Sequence, residues 1–138
     1  MKIEVSVEGV VPDKSAEQQI LLLKPKNNDG SQYLPIWIGS TEADSIRSAL
    51  KRGLPEERPL SHDLLRSILT GFKVTIQKIV IHKMVQGTFF SHIYLSKNGT
   101  ELVIDSRPSD AVSLAIRMNA PIFIDEAVYI QQNVNLNP

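Results

Sequence analysis

Two short segments concentrate the residues able to do chemistry: RPLSHD, Arg58 to Asp63, and DSRPSD, Asp105 to Asp110. Each sets an arginine, a proline, a serine and an aspartate where a helical pattern begins, and the first adds a histidine. Carboxylates and imidazoles can move protons or hold a cation, and an arginine fork can hold an anion. In the second segment Asp105 ends a strand, Ser106 is placed to cap the following helix, and Pro108 suits its first turn, whose N–H groups lack intrahelical partners. Asp110 falls where the helix dipole favours negative charge. These placements need no function. Arg107 does need a partner, because a cation at a helix N-terminus is unfavourable, and the adjacent carboxylates are available. The loop therefore reads either as a structural Arg–Asp clamp or as a reactive centre. In the first segment His62 can accept a proton or ligate a metal, or it can simply pack over the cap or face solvent.

The remaining candidates read more simply. His82 and His92 sit in apolar strand patterns, where a hydrogen-bonded sheet histidine outweighs a ligand. Phe89 and Phe90 suit core and edge packing better than base stacking. Lys51, Arg52, Lys78 and Lys83 make a solvated face unless the fold gathers them into a phosphate patch. Gly-rich phosphate loops, HExxH and GxSxG are missing, so ATPase, zinc-protease and serine-hydrolase readings have no support. Carboxylates are the best reactive groups.

The elements that must position these residues follow from periodicity. Ile3, Val5 and Val7 alternate with polar residues as in a half-buried strand; QQILLLKP carries a continuous apolar run, and YLPIWIG reads as a third strand. STEADSIRSALKRGLP begins with a loose capping box at Thr41 and Asp44, puts Ile46, Ala49 and Leu50 on one face, and stops at Gly53 and Pro55. A second helix enters at Pro59 and Ser61, with Leu64, Leu65, Ile68 and Leu69 as its buried stripe. A meander follows: KVTIQKIVIHKMV, TFFSHIYLS and TELVID, the last two joined at Asn98-Gly99, the preferred pair of a type I′ turn. The third helix, RPSDAVSLAIRM, ends at Asn119 and Pro121 before PIFID and VYIQQ. This predicts an α+β fold: a mixed, mostly antiparallel sheet with about three helices. IGSTEADSIRSALKR also matches IDSRPSDAVSLAIRM at one offset, through Ile38/Ile104, Ser40/Ser106, Asp44/Asp110 and Ala49/Ala115, which suggests a duplicated strand-turn-helix unit.

Composition bounds the rest. A chain of 138 residues suits one domain, placed at residues 1–132 with 133–138 as a frayed tail. With 15 basic and 15 acidic residues, no global positive field draws it to nucleic acid or membrane. The lack of cysteine suits a reducing compartment, and the sequence shows neither a signal-peptide pattern nor a membrane-spanning apolar run; the expected location is cytoplasmic.

LPIWIG, RPLSHDLL, IDSRPSDAVSLAIR and APIFI, in this order and spacing, resemble the bifunctional nuclease family from about Tyr33 to Val128. The resemblance implies an α+β domain that degrades DNA and RNA. Its pattern falls on Arg58, Pro59, His62 and Asp63, and on Asp105, Arg107, Pro108, Ser109 and Asp110, without assigning roles. Phosphodiester hydrolysis needs activated water, stabilised phosphoryl charge and help for the leaving oxygen. On that chemistry Asp105 and Asp110 are expected to hold Mg²⁺ or Mn²⁺, with Arg58, Arg107 and Ser109 on phosphate, His62 as general base and Asp63 orienting it. The competing reading is a regulatory domain that binds a small ligand or a protein, which the balanced charge favours. FFSHIYLS, read as an exposed apolar edge, leads us to expect a homodimer or larger homo-oligomer.

Overall fold

Three antiparallel strands followed directly by a helix occur twice in the chain. The structure, a computed structural model, describes residues 1–14, 17–27, 32–51 and 58–136, with side chains through 132. The first unit is β1 (Lys2–Pro12), β2 (Gln18–Pro25), β3 (Leu34–Gly39) and α1 (Ser40–Leu50); α2 (Ser61–Gly71) then leads to the second. That unit is β4 (Thr75–Val85), β5 (Thr88–Lys97), β6 (Thr100–Ser106) and α3 (Pro108–Arg117), followed by β7 (Ile122–Asp125) and α4 (Glu126–Leu136). β7 joins the two meanders, antiparallel to β1 and parallel to β4, in the order β3-β2-β1-β7-β4-β5-β6. The fold is α+β with a mostly antiparallel sheet, as the periodicity predicts. The two matching segments are the β3–α1 and β6–α3 junctions, at opposite edges of the sheet, and both edges feed helices that pack against each other.

Local physics explains the strands. Val5, Leu21, Leu23, Ile36, Ile79, Ile81, Ile93 and Ile124 project to one face and form a single core with Ala43 and Ile46 of α1 and Ala111, Val112 and Ala115 of α3. The β5–β6 turn has positive φ at Asn98 and Gly99, as its sequence predicts, and Gln86 and Gly87 repeat that geometry between β4 and β5.

Several expectations are corrected. The N-cap of α1 is Gly39, not Thr41, and the Glu42 carboxylate folds over it so closely that a side-chain carbon on Gly39 would collide with it. Ser61 is the first helical residue of α2 rather than its cap; the N-cap is Leu60, whose N–H bonds the Asp63 carboxylate at 2.9 Å. All residues of α2 are described and none is buried: Leu64, Leu65 and Ile68 are exposed, Leu65, Ile68 and Leu69 line a cavity, and Leu69 is the residue of α2 that packs against the core. FFSHIYLS is no edge, since β5 is paired by both β4 and β6; β6 is the edge. A fourth helix, α4, contains VYIQQ. Val128, Tyr129 and Gln132 face inward, and the Tyr129 hydroxyl bonds the Gln32 carbonyl at 2.7 Å. The tail from 133 includes the last backbone turn of α4, while 137–138, Arg52, Gly53 and Pro55 lie outside the described residues. No helix among the described residues is long and apolar enough to cross a membrane.

Candidate functional site

The N-terminal turns of α2 and α3 meet over α1, and this junction brings the two sequence motifs together. His62 Nε2 lies 2.9 Å from Asp110 Oδ1, and its Nδ1 lies 2.6 Å from Ser45 Oγ. An ionised carboxylate only accepts, so in the neutral imidazole Nε2 carries the proton and Nδ1 accepts from the Ser45 hydroxyl. Ser113 Oγ donates in turn to Ser45 Oγ at 3.2 Å. On the other side Arg107 Nε donates to Asp110 Oδ2 at 3.0 Å and Arg107 Nη1 to Glu42 Oε1 at 3.2 Å. The result is a continuous chain, Ser113–Ser45–His62–Asp110–Arg107–Glu42. Burial acts to raise the Asp110 pKa, but hydrogen bonds from Arg107 and His62 outweigh it and hold the carboxyl below the ordinary aspartate value. The chain runs outward from buried serines, through a His62 side chain 11% exposed, to an Arg107 side chain 65% exposed. Arg107 is therefore the cationic end of the chain that solvent reaches.

Asp63 does not orient His62; Asp110 does. Asp63 Oδ1 accepts from Arg117 Nε at 2.7 Å, and the same guanidinium donates to the carbonyls of Ser113 and Ser45 at 3.2 Å each. Arg117 is buried, its side chain 3% exposed, and it ties α1, α2 and α3 into one unit. Burial again opposes ionisation of Asp63, but the bonds from Arg117 and the Leu60 N–H prevail and lower its pKa.

The other predicted residues separate. Ser106 does not cap α3, whose N-cap is Arg107; instead the Ser106 carbonyl and hydroxyl are met by Ser91 Oγ at 2.7 and 2.9 Å. Pro108 takes the first turn as expected. Arg58 is exposed on the approach to α2, and Ser109 is buried along a different cavity, beside Ile36, Phe89 and Gln132. Ile104 and Ser106 line the cavity next to Asp110, so strand alternation turns Asp105 to the opposite face, where His92 is its cross-strand neighbour. Asp105 and Asp110 are thus not placed to share an ion: they lie on different faces, and both Asp110 oxygens already face Arg107 or His62. The residues missed by sequence reasoning are Ser45, Glu42, Ser113 and Arg117. All four were inside quoted segments, but nothing in their spacing showed which long-range partner each would meet.

The chain of polar groups opens on a cavity of about 730 Å³. Ser45, Ser61, His62, Arg107 and Asp110 line its polar end, and Leu65, Ile68, Leu69, Ile93, Leu95 and Ile104 its apolar walls. A charged end on an apolar slot is suited in shape and charge to a ligand with an anionic group and a flat or apolar body.

The sequence profile of the bifunctional nuclease domain matches residues 21–137. An uncharacterized protein of Mycobacterium tuberculosis (strain H37Rv) is 36% identical over 128 residues, which cover 93% of this chain and 74% of that protein. Bifunctional nuclease 1 of Oryza sativa subsp. japonica is 29% identical over 118 residues, 83% of this chain and 35% of its own length. Bifunctional nuclease 1 of Arabidopsis thaliana is 27% identical over 122 residues, 86% of this chain and 36% of its own. This chain spans about a third of the plant proteins. The profile match covers most of the chain and includes both motifs that meet at the cavity, so the chain belongs to the bifunctional nuclease family.

Proposed function

We propose that the domain hydrolyses phosphodiester bonds of DNA and RNA at the Arg107 end of the cavity. The observation that carries this reading is the exposed Arg107 guanidinium, held by Asp110 directly over the His62–Ser45 pair. A phosphate replaces Glu42 on Arg107, which then stabilises the charge that grows on the non-bridging oxygens. Ser45, at the cavity wall, gives its hydroxyl proton to His62 Nδ1 while taking one from the attacking water. The imidazolium so formed is stabilised by Asp110, and the proton returns to the leaving oxygen. Mg²⁺ or Mn²⁺ belongs to the same proposal and would add Lewis-acid stabilisation of the phosphoryl charge beside Arg107. A cytoplasmic setting and self-association do too; the edge of β6, unpaired among the described residues, and the exposed Leu64, Ile68, Leu102 and Ile104 support the latter.

The apolar walls favour a second reading, in which the cavity holds an anionic amphipathic small molecule and the domain regulates rather than cuts. Incubating purified protein with end-labelled single-stranded DNA and RNA, with Mg²⁺, with Mn²⁺ and with chelator, separates them. Cleavage in any of these conditions supports the nuclease. No cleavage in any, from folded protein, moves the assignment to ligand binding, and cleavage that survives chelator removes the cation from the proposal.

A further inference from the structure

The sheet carries a second group of ligating side chains, on the face away from the cavity. A register shift between Ile81 and Lys83 inserts His82 into β4. Such a bulge re-aims the side chain it adds. Here it lays the His82 ring on that of His92, with centroids 3.8 Å apart and planes 20° from parallel. His92 pairs in register with Asp105 of the edge strand β6. One ligating atom from each of His82, His92 and Asp105 lies within 4.8 Å of the others. This arrangement is not the hydrogen-bonded sheet histidine that the sequence favoured. His82 Nε2 is buried with no hydrogen-bond partner among the described residues. A buried polar atom without a partner is costly, and a bound ion satisfies it.

We propose that His82, His92 and Asp105 form a site for one divalent transition-metal ion of the Zn²⁺ class. Two imidazole nitrogens and one carboxylate oxygen suit Zn²⁺ and Co²⁺, whereas Mg²⁺ and Ca²⁺ favour oxygen ligands throughout. Three protein ligands leave the fourth position to water, the donor count of an open rather than a closed structural site. Tetrahedral bonds of about 2.0–2.1 Å set ligand atoms about 3.4 Å apart, so a group spread over as much as 4.8 Å must draw in by up to about 1.4 Å. Asp105 is exposed on an edge strand and can move toward the rings, and one ring must turn out of the stack so that both lone pairs, which lie in the ring planes, point at one ion. Lys83, the adjacent cation, lies over the Phe90 ring, 4.9 Å from its centroid. The site does not depend on the phosphodiester reading, since it shares no residue with the Arg107–His62 chain.

The test is a titration of untagged, chelator-stripped protein with Co²⁺ alone, followed by Zn²⁺ in competition. The expected result is one ion per chain, with the visible absorption of four- or five-coordinate Co²⁺ abolished by Zn²⁺. Asp105→Asn and His92→Gln should each weaken binding by about tenfold or more, while His62→Gln, at the chain's third histidine, should bind as wild type. Circular dichroism confirms that each variant is folded, and the exposed Asp105→Asn decides the matter if His92→Gln is not. Folded wild type that takes up no Co²⁺ or Zn²⁺ overturns the proposal. So does binding unchanged by Asp105→Asn, or binding lost in His62→Gln.

Discussion

Replacing Arg117 with methionine should destabilise the domain severely while leaving the reactive chain in place. The guanidinium is 3% exposed and makes bonds to Asp63, Ser113 O and Ser45 O. Methionine fills much of the volume but leaves two carbonyls and a carboxylate without their donor. Breaking a buried pair from one side costs about 3–5 kcal/mol. The Asp63 side chain is 21% exposed and regains some water, so the lower end, about 3 kcal/mol, is expected. An unfolding entropy of about 2 cal/mol/K per residue turns that into a melting temperature lower by roughly 10 °C for a chain this size. The effect has a sign in pH. Asp63 has its folded pKa lowered below 3.8, so its stabilisation is complete above that value and is lost as pH falls through the folded pKa. The gap between wild type and Arg117→Met should therefore narrow below about pH 4. Thermal unfolding by circular dichroism at pH 7 and in acid reads both effects. A shift under about 2 °C at pH 7 would refute the reasoning.

Ser45→Ala should cost about 1 kcal/mol of stability and lower cleavage by about 10²–10⁴-fold, read by single-turnover kinetics at a temperature where the variant is folded. Asp105→Asn should leave cleavage within about twofold of wild type, because Asp105 faces away from the cavity; loss of cleavage would place the chemistry on the other face. Ile68→Glu with Leu102→Lys should convert an oligomer to monomer in sedimentation velocity, and a wild type that is monomeric at every concentration would remove the assembly proposal.

What could be read from sequence was what neighbours in the chain determine. The meander, its Asn98-Gly99 turn and the Pro108 start of α3 depend on residues a few positions apart. The matched segments both fall on strand-to-helix junctions, β3–α1 and β6–α3. Long-range partnering was not legible. Two aspartates near two helix starts look alike in sequence, yet Asp63 is taken by Arg117 and Asp110 by His62. Periodicity showed that α2 has an apolar stripe, but not that only Leu69 of it reaches the core while Leu65 and Ile68 line a cavity. VYIQQ is rich in strand-forming residues, and only its tertiary setting makes it helical. The pairing of His82 with His92 depends on a single inserted residue in β4, which no local pattern announces.

The central claim is that Arg107, Asp110 and His62 meet the substrate phosphate together. Its most direct test is kcat/KM on a single-stranded RNA and DNA of matched sequence for wild type, Arg107→Ala and His62→Gln, with melting temperatures measured on the same samples. Arg107 is largely exposed, so its loss should cost at most about 1 kcal/mol of stability. The account predicts that Arg107→Ala remains folded and loses about 10²–10³-fold in kcat/KM on both substrates, with His62→Gln falling at least as far. Folded variants that cleave at the wild-type rate would contradict it.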